Sequence, residues 1–276
     1  MLKKSLSQHL IKDRNVTDKM VRLAGISSDD VVVEIGAGDG HLTKSLVNKA
    51  GFVYAVEVDR EFIPGLLELE HVHKNLRVIS GDFLEMPFSE FTKDGNIKVI
   101  GNIPYKITAP IILKILEGRE VVESAYVTMQ AEVARRIVSK PFTKTYGGLS
   151  VVCQLLADVA IVFYLKASVF FPPPKVESAF VGIIPKEGKR TTDGALIQFI
   201  RVCFRNRRKH LKYALSREYG VDIVNGLYEF MKFSPAVRAE ELEPAKFEEM
   251  FYFLRRYSGP VCREDGEAGT FARRGA

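Results

Sequence analysis

The stretch VVVEIGAGDGHLTKSLVNKAGFVYAVEVD, residues 31–59, decides the fold. It opens on a short apolar run, VVVEIG (31–36), that ends at glycine. In HLTKSLVNKA (41–50), Leu42, Leu46 and Val47 recur at helical spacing, and FVYAVEVD (52–59) is apolar again. Strand, glycine-rich turn, helix and strand make a βαβ unit, whose strands are parallel and whose crossover is right-handed. The alternation continues with FIPGLLELEHV (62–72, weakly helical), LRVISGDFL (76–84, strand) and IKVIGN (97–102, strand). APIILKILEG (109–118) and AEVARRIVSK (131–140) read as helices on either side of a fifth strand, ESAYVTMQ (123–130). The predicted class is α/β, a mainly parallel sheet with helices on both faces.

Near residue 186 the pattern changes. KEGKRTTDG is a polar linker, and beyond it only helices are predicted: 195–217, 221–232, 235–238 and 244–257. The expected organisation is a catalytic domain over 1–185, a small all-α domain over 190–258 and a disordered tail over 259–276, which is rich in glycine and charge. The 276 residues suffice for this, and 46% hydrophobic with 27% charged residues is the composition of a globular chain. No apolar run reaches the roughly 20 residues that span a bilayer, and the basic start MLKKSLSQHL lacks the apolar core of a secretory signal. Cys153, Cys203 and Cys262 lack metal-ligand spacing, so free thiols in a reducing cytoplasm are expected, without a metal. A net charge of +6 and a pI of 9.1 suit a polyanionic partner.

The loop EIGAGDG (34–40) joins the first strand to the first helix. Its glycines allow a sharp turn and a close approach to a ligand. The spacing G-x-G-x-G differs from the dinucleotide fingerprint. Glu34 would repel a pyrophosphate but tolerates a ligand carrying a sulfonium and an ammonium. Glu57, 21 residues beyond Gly36, stands where an acid accepts hydrogen bonds from both ribose hydroxyls of an adenosine moiety. Asp82 follows the third strand and is placed to accept from an adenine amino group. This set resembles the cofactor site of class I S-adenosylmethionine-dependent methyltransferases.

GNIPYKITAP (101–110) then leaves the fourth strand towards the same crevice. An exocyclic amine is a poor nucleophile because its lone pair is delocalised. A site that accepts its hydrogens and aims its nitrogen at a methyl group overcomes this. The side-chain oxygen of Asn102 and the backbone carbonyls of Ile103 and Pro104 are the predicted acceptors, with Pro104 fixing the local backbone. Tyr105 offers a face for a planar base. Thr108 and Pro110 are expected to start the next helix.

Further segments identify a family resemblance. KKSLSQHLIKD, MQAEVARRIVSKP, TYGGLSVVCQ, VFFPPPKVESAFV, FRNRRKHLKYAL and VRAEELEPAKF, taken with the loops above, are similar in kind and order to the ribosomal RNA adenine dimethyltransferases. The closest likeness is to the small-subunit enzymes that dimethylate two adjacent adenosines near the rRNA 3′ end. The resemblance covers about residues 3–257. It implies a class I methyltransferase Rossmann-like fold, S-adenosyl-L-methionine as methyl donor, an immature small ribosomal subunit as partner, no membrane partner, and a cytoplasmic monomer. It implies cofactor contacts from His9, Ile11, Gly36, Gly38, Glu57, Asp82 and Asn102. It implies catalytic roles for Asn102, Pro104, Tyr105 and Phe170, the last sandwiching the target adenine against Tyr105. Ser7, Lys106 and Gly148 depart from the usual glycine, asparagine and arginine. The large-subunit enzymes that confer antibiotic resistance, and a non-catalytic RNA-binding factor on the same fold, are the alternative readings.

RVCFRNRRKHLKYALSR (201–217) holds seven Lys/Arg and no acid in 17 residues. With Ile200, Phe204, Leu211 and Leu215 packed inward, Arg205, Arg207, Arg208, Lys209 and Lys212 are expected to face RNA phosphates.

Overall fold

The computed structural model describes residues 9–92, 95–186, 194–206 and 209–257. The chain runs through β1 (Leu10–Ile11), α1 (Arg14–Leu23), β2 (Val31–Ile35), α2 (His41–Val47), β3 (Phe52–Glu57), α3 (Ile63–Val72) and β4 (Leu76–Ser80). It continues through β5 (Ile97–Asn102), α4 (Thr108–Glu117), β6 (Val122–Gln130), α5 (Ala131–Ile137), α6 (Gly148–Leu156), β7 (Ala157–Leu165), β8 (Phe170–Phe171) and β9 (Ser178–Pro185). Four helices close it: α7 (Gly194–Phe204), α8 (Leu211–Tyr219), α9 (Val221–Met231) and α10 (Pro244–Tyr257).

Seven strands form one sheet in the order β4-β3-β2-β5-β6-β9-β7. The five strands read from the sequence are the parallel ones, and β9 runs antiparallel between β6 and β7. The central strands β2 and β5 read as nearly continuous apolar runs because helices cover both faces. Strands β3 and β4 build outward from β2 on one side, β5 and β6 on the other. The strand order therefore reverses between β2 and β5, and a crevice opens beyond their carboxyl ends.

The two strands approach closely there. Gly101 sits opposite Ile35, and a Cβ at Gly101 would come within 2.5 Å of the Ile35 carbonyl oxygen. The next residue of each strand, Gly36 and Asn102, begins a functional loop.

The predicted helix over 195–217 is two helices. A turn at Arg205 and Asn206 ends α7, and His210 is extended, with ψ 144°, before α8 begins. The amide of Leu211 bonds to the Val237 carbonyl at 2.9 Å, which redirects the chain. The stretch 235–238 is not helical; a single 3-10 turn covers Ala239–Glu241 instead.

One hydrophobic cluster unites the sheet and the carboxyl-terminal helices, running from Val99 and Ile112 through Val152 and Leu156 to Phe199, Phe247 and Leu254. Two hydrogen bonds lock the seam. The fully buried Tyr146 donates its hydroxyl to the Leu242 carbonyl at 2.8 Å, and the Phe142 amide reaches the Glu240 carbonyl at 2.8 Å. Gly148 lies on this seam, where a Cβ would stand 3.6 Å from Ile200. The tail over 259–276, most of the 186–194 linker and Ser7 lie outside the described residues.

Gly101→Ala is expected to destabilise the protein by about 1–3 kcal/mol through overpacking against backbone that cannot yield. Urea denaturation checks this, and an unchanged midpoint would show that β2 and β5 separate without cost.

Candidate active site

A cleft of about 220 Å³ opens at the carboxyl ends of the parallel strands. Gly36 and Gly38 line it from the loop after β2, Glu57 from the end of β3, Asp82 from the turn after β4, and Asn102 to Tyr105 from the turn after β5. His9 and Leu10 form the opposite wall.

The glycine loop takes its shape from positive φ at Gly36, Gly38 and Gly40 (72°, 54° and 79°). A Cβ on Gly38 would also meet the Leu10 side chain at 2.7 Å. Glu57 holds the loop in place. Its Oε2 accepts the Gly38 amide at 2.7 Å and its Oε1 the Asp59 amide at 2.7 Å. Burial raises the Glu57 carboxyl above its ordinary range, and these two amides oppose the rise. Each carboxylate oxygen retains further acceptor capacity for a hydroxyl.

Glu34 lies behind the loop, 1% exposed, accepting the Thr43 hydroxyl at 2.6 Å. Burial pushes it up to about 8, against the Thr43 hydrogen bond and with the help of the Glu57 and Asp39 charges. Asp82 accepts the Leu84 amide on Oδ1 at 2.9 Å, which fixes the carboxylate at the rim of the cleft. Among the described lining residues Lys106 is the one lysine or arginine, against the carboxylates of Glu57 and Asp82. That donor set, with apolar walls from Ile35, Val58, Phe83 and Ile103, fits an adenosine bearing a cationic sulfonium and not a pyrophosphate.

Asn102 ties distant segments together. Its Nδ2 donates to the His9 carbonyl at 2.5 Å, and its Oδ1 accepts the hydroxyl of the buried Thr128 at 2.6 Å. Thr128 therefore fixes which way the amide points, and one lone pair of Oδ1 remains for a substrate N–H. Tyr105 shares a 2.5 Å hydrogen bond with the buried Ser178 hydroxyl, which anchors the far end of its side chain. The His9 ring stacks on Tyr105, with centroids 5.7 Å apart at 29°, and its Nδ1–H donates to the Pro172 carbonyl at 2.7 Å. Thr108 is the first residue of α4 and not its cap; a 3-10 turn over Tyr105–Ile107 precedes it.

Two of the expected contacts fall elsewhere. Phe170 is 4% exposed and packs in the core with Ile11, which is 5% exposed; neither side chain lines the cleft. In this structure the partner of the Tyr105 face is His9, and the side chain that β1 gives to the cleft is Leu10.

Of the basic residues assigned to RNA, Arg205 pairs with Glu218 of α8, one residue beyond the acid-free stretch, at 3.4 Å. Lys209 lies 4.0 Å from the ring centroid of the exposed Tyr213, which Arg217 approaches at 5.9 Å. Lys212 lies 5.4 Å from the Tyr228 ring centroid. Arg207 and Arg208 lie outside the described residues. Sequence reasoning missed Thr128 and Leu10, since a threonine inside a strand and a leucine near the start carry no signal until their partners are known.

The raised Glu34 carboxyl is protonated in the fold and ionised in the unfolded chain over a wide pH range. Its contribution to stability is whole below about 4.5, falls as pH rises and is lost once pH passes about 8. Urea midpoints of the wild type relative to Glu34→Gln are expected to decline between those limits; a difference independent of pH would show that Glu34 does not titrate there.

Residues 1–256 match the family described as ribosomal RNA adenine dimethylase. A ribosomal RNA small subunit methyltransferase A from Chlorobium luteolum is 35% identical over 268 residues, 96% of this chain and 95% of that protein. Its namesake from Chlorobaculum parvum is 39% identical over 223 residues, 80% of each. The crystal structure of a dimethyladenosine transferase from Plasmodium falciparum superposes with a TM-score of 0.76 and 28% identity, covering 90% of this chain and 98% of that one. The 23S rRNA methyltransferase ErmE follows with a TM-score of 0.66 and 25% identity, covering 89% of this chain and 99% of that one. Because the match runs through both the sheet and the helices that follow it, the chain belongs to the ribosomal RNA adenine dimethylase family.

Proposed function

We propose that this protein dimethylates the N6 amines of two adjacent adenosines near the 3′ end of small-subunit rRNA, using S-adenosyl-L-methionine, on an immature small subunit. The observation that carries this reading is the cleft itself, in which the glycine loop, Glu57 and Asp82 meet Asn102 and Tyr105. Printed names of relatives such as the small-subunit methyltransferase A of Chlorobium luteolum support the choice of subunit.

The cofactor supplies an electrophilic methyl group. Glu57 accepts the ribose hydroxyls, Asp82 the adenine amino group, and the Gly36–Gly38 turn leaves room for the methionine part. The target adenine enters by the Asn-Ile-Pro-Tyr turn. Asn102 Oδ1, steadied by Thr128, and the carbonyls of Ile103 or Pro104 accept the amine hydrogens and turn the nitrogen lone pair towards the methyl. No base need act beforehand, because the amine becomes acidic only as the methyl transfers. Tyr105 stacks on the adenine, which requires the His9 ring to leave that face. Lys106 at the mouth of the cleft, and Lys209 with Arg217 around Tyr213, supply cations for phosphates.

Labelled S-adenosylmethionine incubated with unmodified small and large subunits tests the reading. Label is expected in small-subunit rRNA; label confined to large subunits would overturn it in favour of the resistance-type activity, and cofactor binding without transfer would favour an RNA-binding factor. Asn102→Ala is expected to lower kcat at least about a hundredfold, the scale of losing one preorganised hydrogen-bonding group, while RNA binding persists. Near-normal turnover would remove Asn102 from the mechanism. Lys209→Gln with Arg217→Gln is expected to weaken RNA binding and to flatten its salt dependence by about one logarithmic unit per lost phosphate contact. An unaltered slope would turn that helix away from the RNA.

A further inference from the structure

We propose that Phe171 and Lys12 form an external base site at the rim of the cleft, which holds the nucleotide adjoining the target adenosine. The proposal rests on the reading of the substrate as rRNA.

Strands β1 and β8 make a two-stranded antiparallel ribbon in which Ile11 opposes Phe170 and Leu10 opposes Phe171. Residues directly opposed in such a pair project from the same face. One face, Ile11 with Phe170, is buried in the core. The other carries Leu10, which lines the cleft, and so it carries Phe171 as well. Phe171 is not among the cleft-lining residues and is 55% exposed, so it stands just outside, with its ring open to solvent. Lys12 lies two residues beyond Leu10, on the same face, and its Nζ is 4.6 Å from the centre of the Phe171 ring. The ammonium sits over one face of the ring, so a base would stack on the opposite face, with the ammonium near its phosphate.

The ribbon also has a fixed position relative to the chemistry. His9, one residue before β1, accepts the Asn102 amide on its backbone carbonyl, and this bond does not depend on where the His9 ring lies. A base turned out of its stack to reach Asn102 uncovers one face of its neighbour. Phe171 can cover that face. In the proposed substrate the neighbour is the second adenosine, so the platform would hold one member of the pair while the other reacts.

The test uses the full chain and small subunits reconstituted with rRNA ligated near the 3′ end. One set of particles is intact; the others carry an abasic nucleotide on the 5′ or the 3′ side of the remaining adenosine. Phe171→Ala is expected to raise KM for intact particles roughly tenfold, the scale of one lost base–aromatic stack, with kcat and cofactor affinity unchanged. Phe171→Tyr is expected to restore it. One of the two abasic particles should cost the wild type a similar factor and cost Phe171→Ala nothing more. An unchanged KM, or an abasic penalty as large in Phe171→Ala as in the wild type, would overturn the platform while leaving the substrate intact. Absence of transfer to intact particles would overturn the rRNA reading itself, and the platform with it. Should Phe171→Ala fail to bind cofactor, Phe171→Leu, which keeps the apolar bulk, carries the same comparison.

Discussion

The close approach of β2 and β5 at Ile35 and Gly101 is the constraint on which the remainder depends. The two strands are parallel neighbours whose helices depart in opposite directions, so a crevice opens beyond their carboxyl ends. The loop after β2 begins at Gly36 and the loop after β5 at Asn102, immediately beyond the tight contact; a Cβ on Gly36 would lie 3.7 Å from the Asn102 carbonyl oxygen. The loop proposed to hold the methyl donor and the loop proposed to hold the acceptor thus diverge from a single point of backbone contact. Their separation is set by sheet geometry and not by side-chain choice.

Around that point, polar side chains connect segments that helices and strands alone would leave independent. Glu57 binds the amides of Gly38 and Asp59, so the glycine loop and the end of β3 form one unit. Asn102 joins β5 to β6 through Thr128 and to the amino-terminal segment through the His9 carbonyl. Tyr105 is bound to β9 through Ser178. Every bond is between groups buried or half-buried, where an unmade partner is expensive and a made one holds geometry. The residues proposed to handle substrate are therefore held before any substrate arrives.

Much of this was legible in the sequence, for identifiable reasons. The βαβ alternation is a strong periodic signal, and β2 through β6 fall within a few residues of their predicted bounds. The boundary between α6 and β7 was hidden because GLSVVCQLL runs into ADVAIVFYL without a polar break. Helix α1 was hidden because it buries only Thr17, Met20 and Val21, and apart from Val16 and Leu23 its other residues are polar. Of the site, Gly36, Gly38, Glu57, Asp82 and the Asn102–Tyr105 turn could be placed because each ends a strand. Phe170 could not be placed from the sequence. In a two-residue strand, which of two adjacent phenylalanines faces inward depends on the register with Leu10–Ile11, and that pairing spans about 160 residues of chain. The partner of Arg205 could not be placed from the sequence, because Glu218 lies 13 residues away, across the turn between α7 and α8.

The seam closed by Tyr146 and Leu242 has a consequence for how the protein meets a large particle. Since the sheet and the carboxyl-terminal helices share one core, the chain lacks a hinge there among its described residues, and the basic edge near Tyr213 stands at a set span from Asn102. Such a body works as a caliper. On the proposed function, its two jaws would take phosphates and an extruded base that are already spaced to match them.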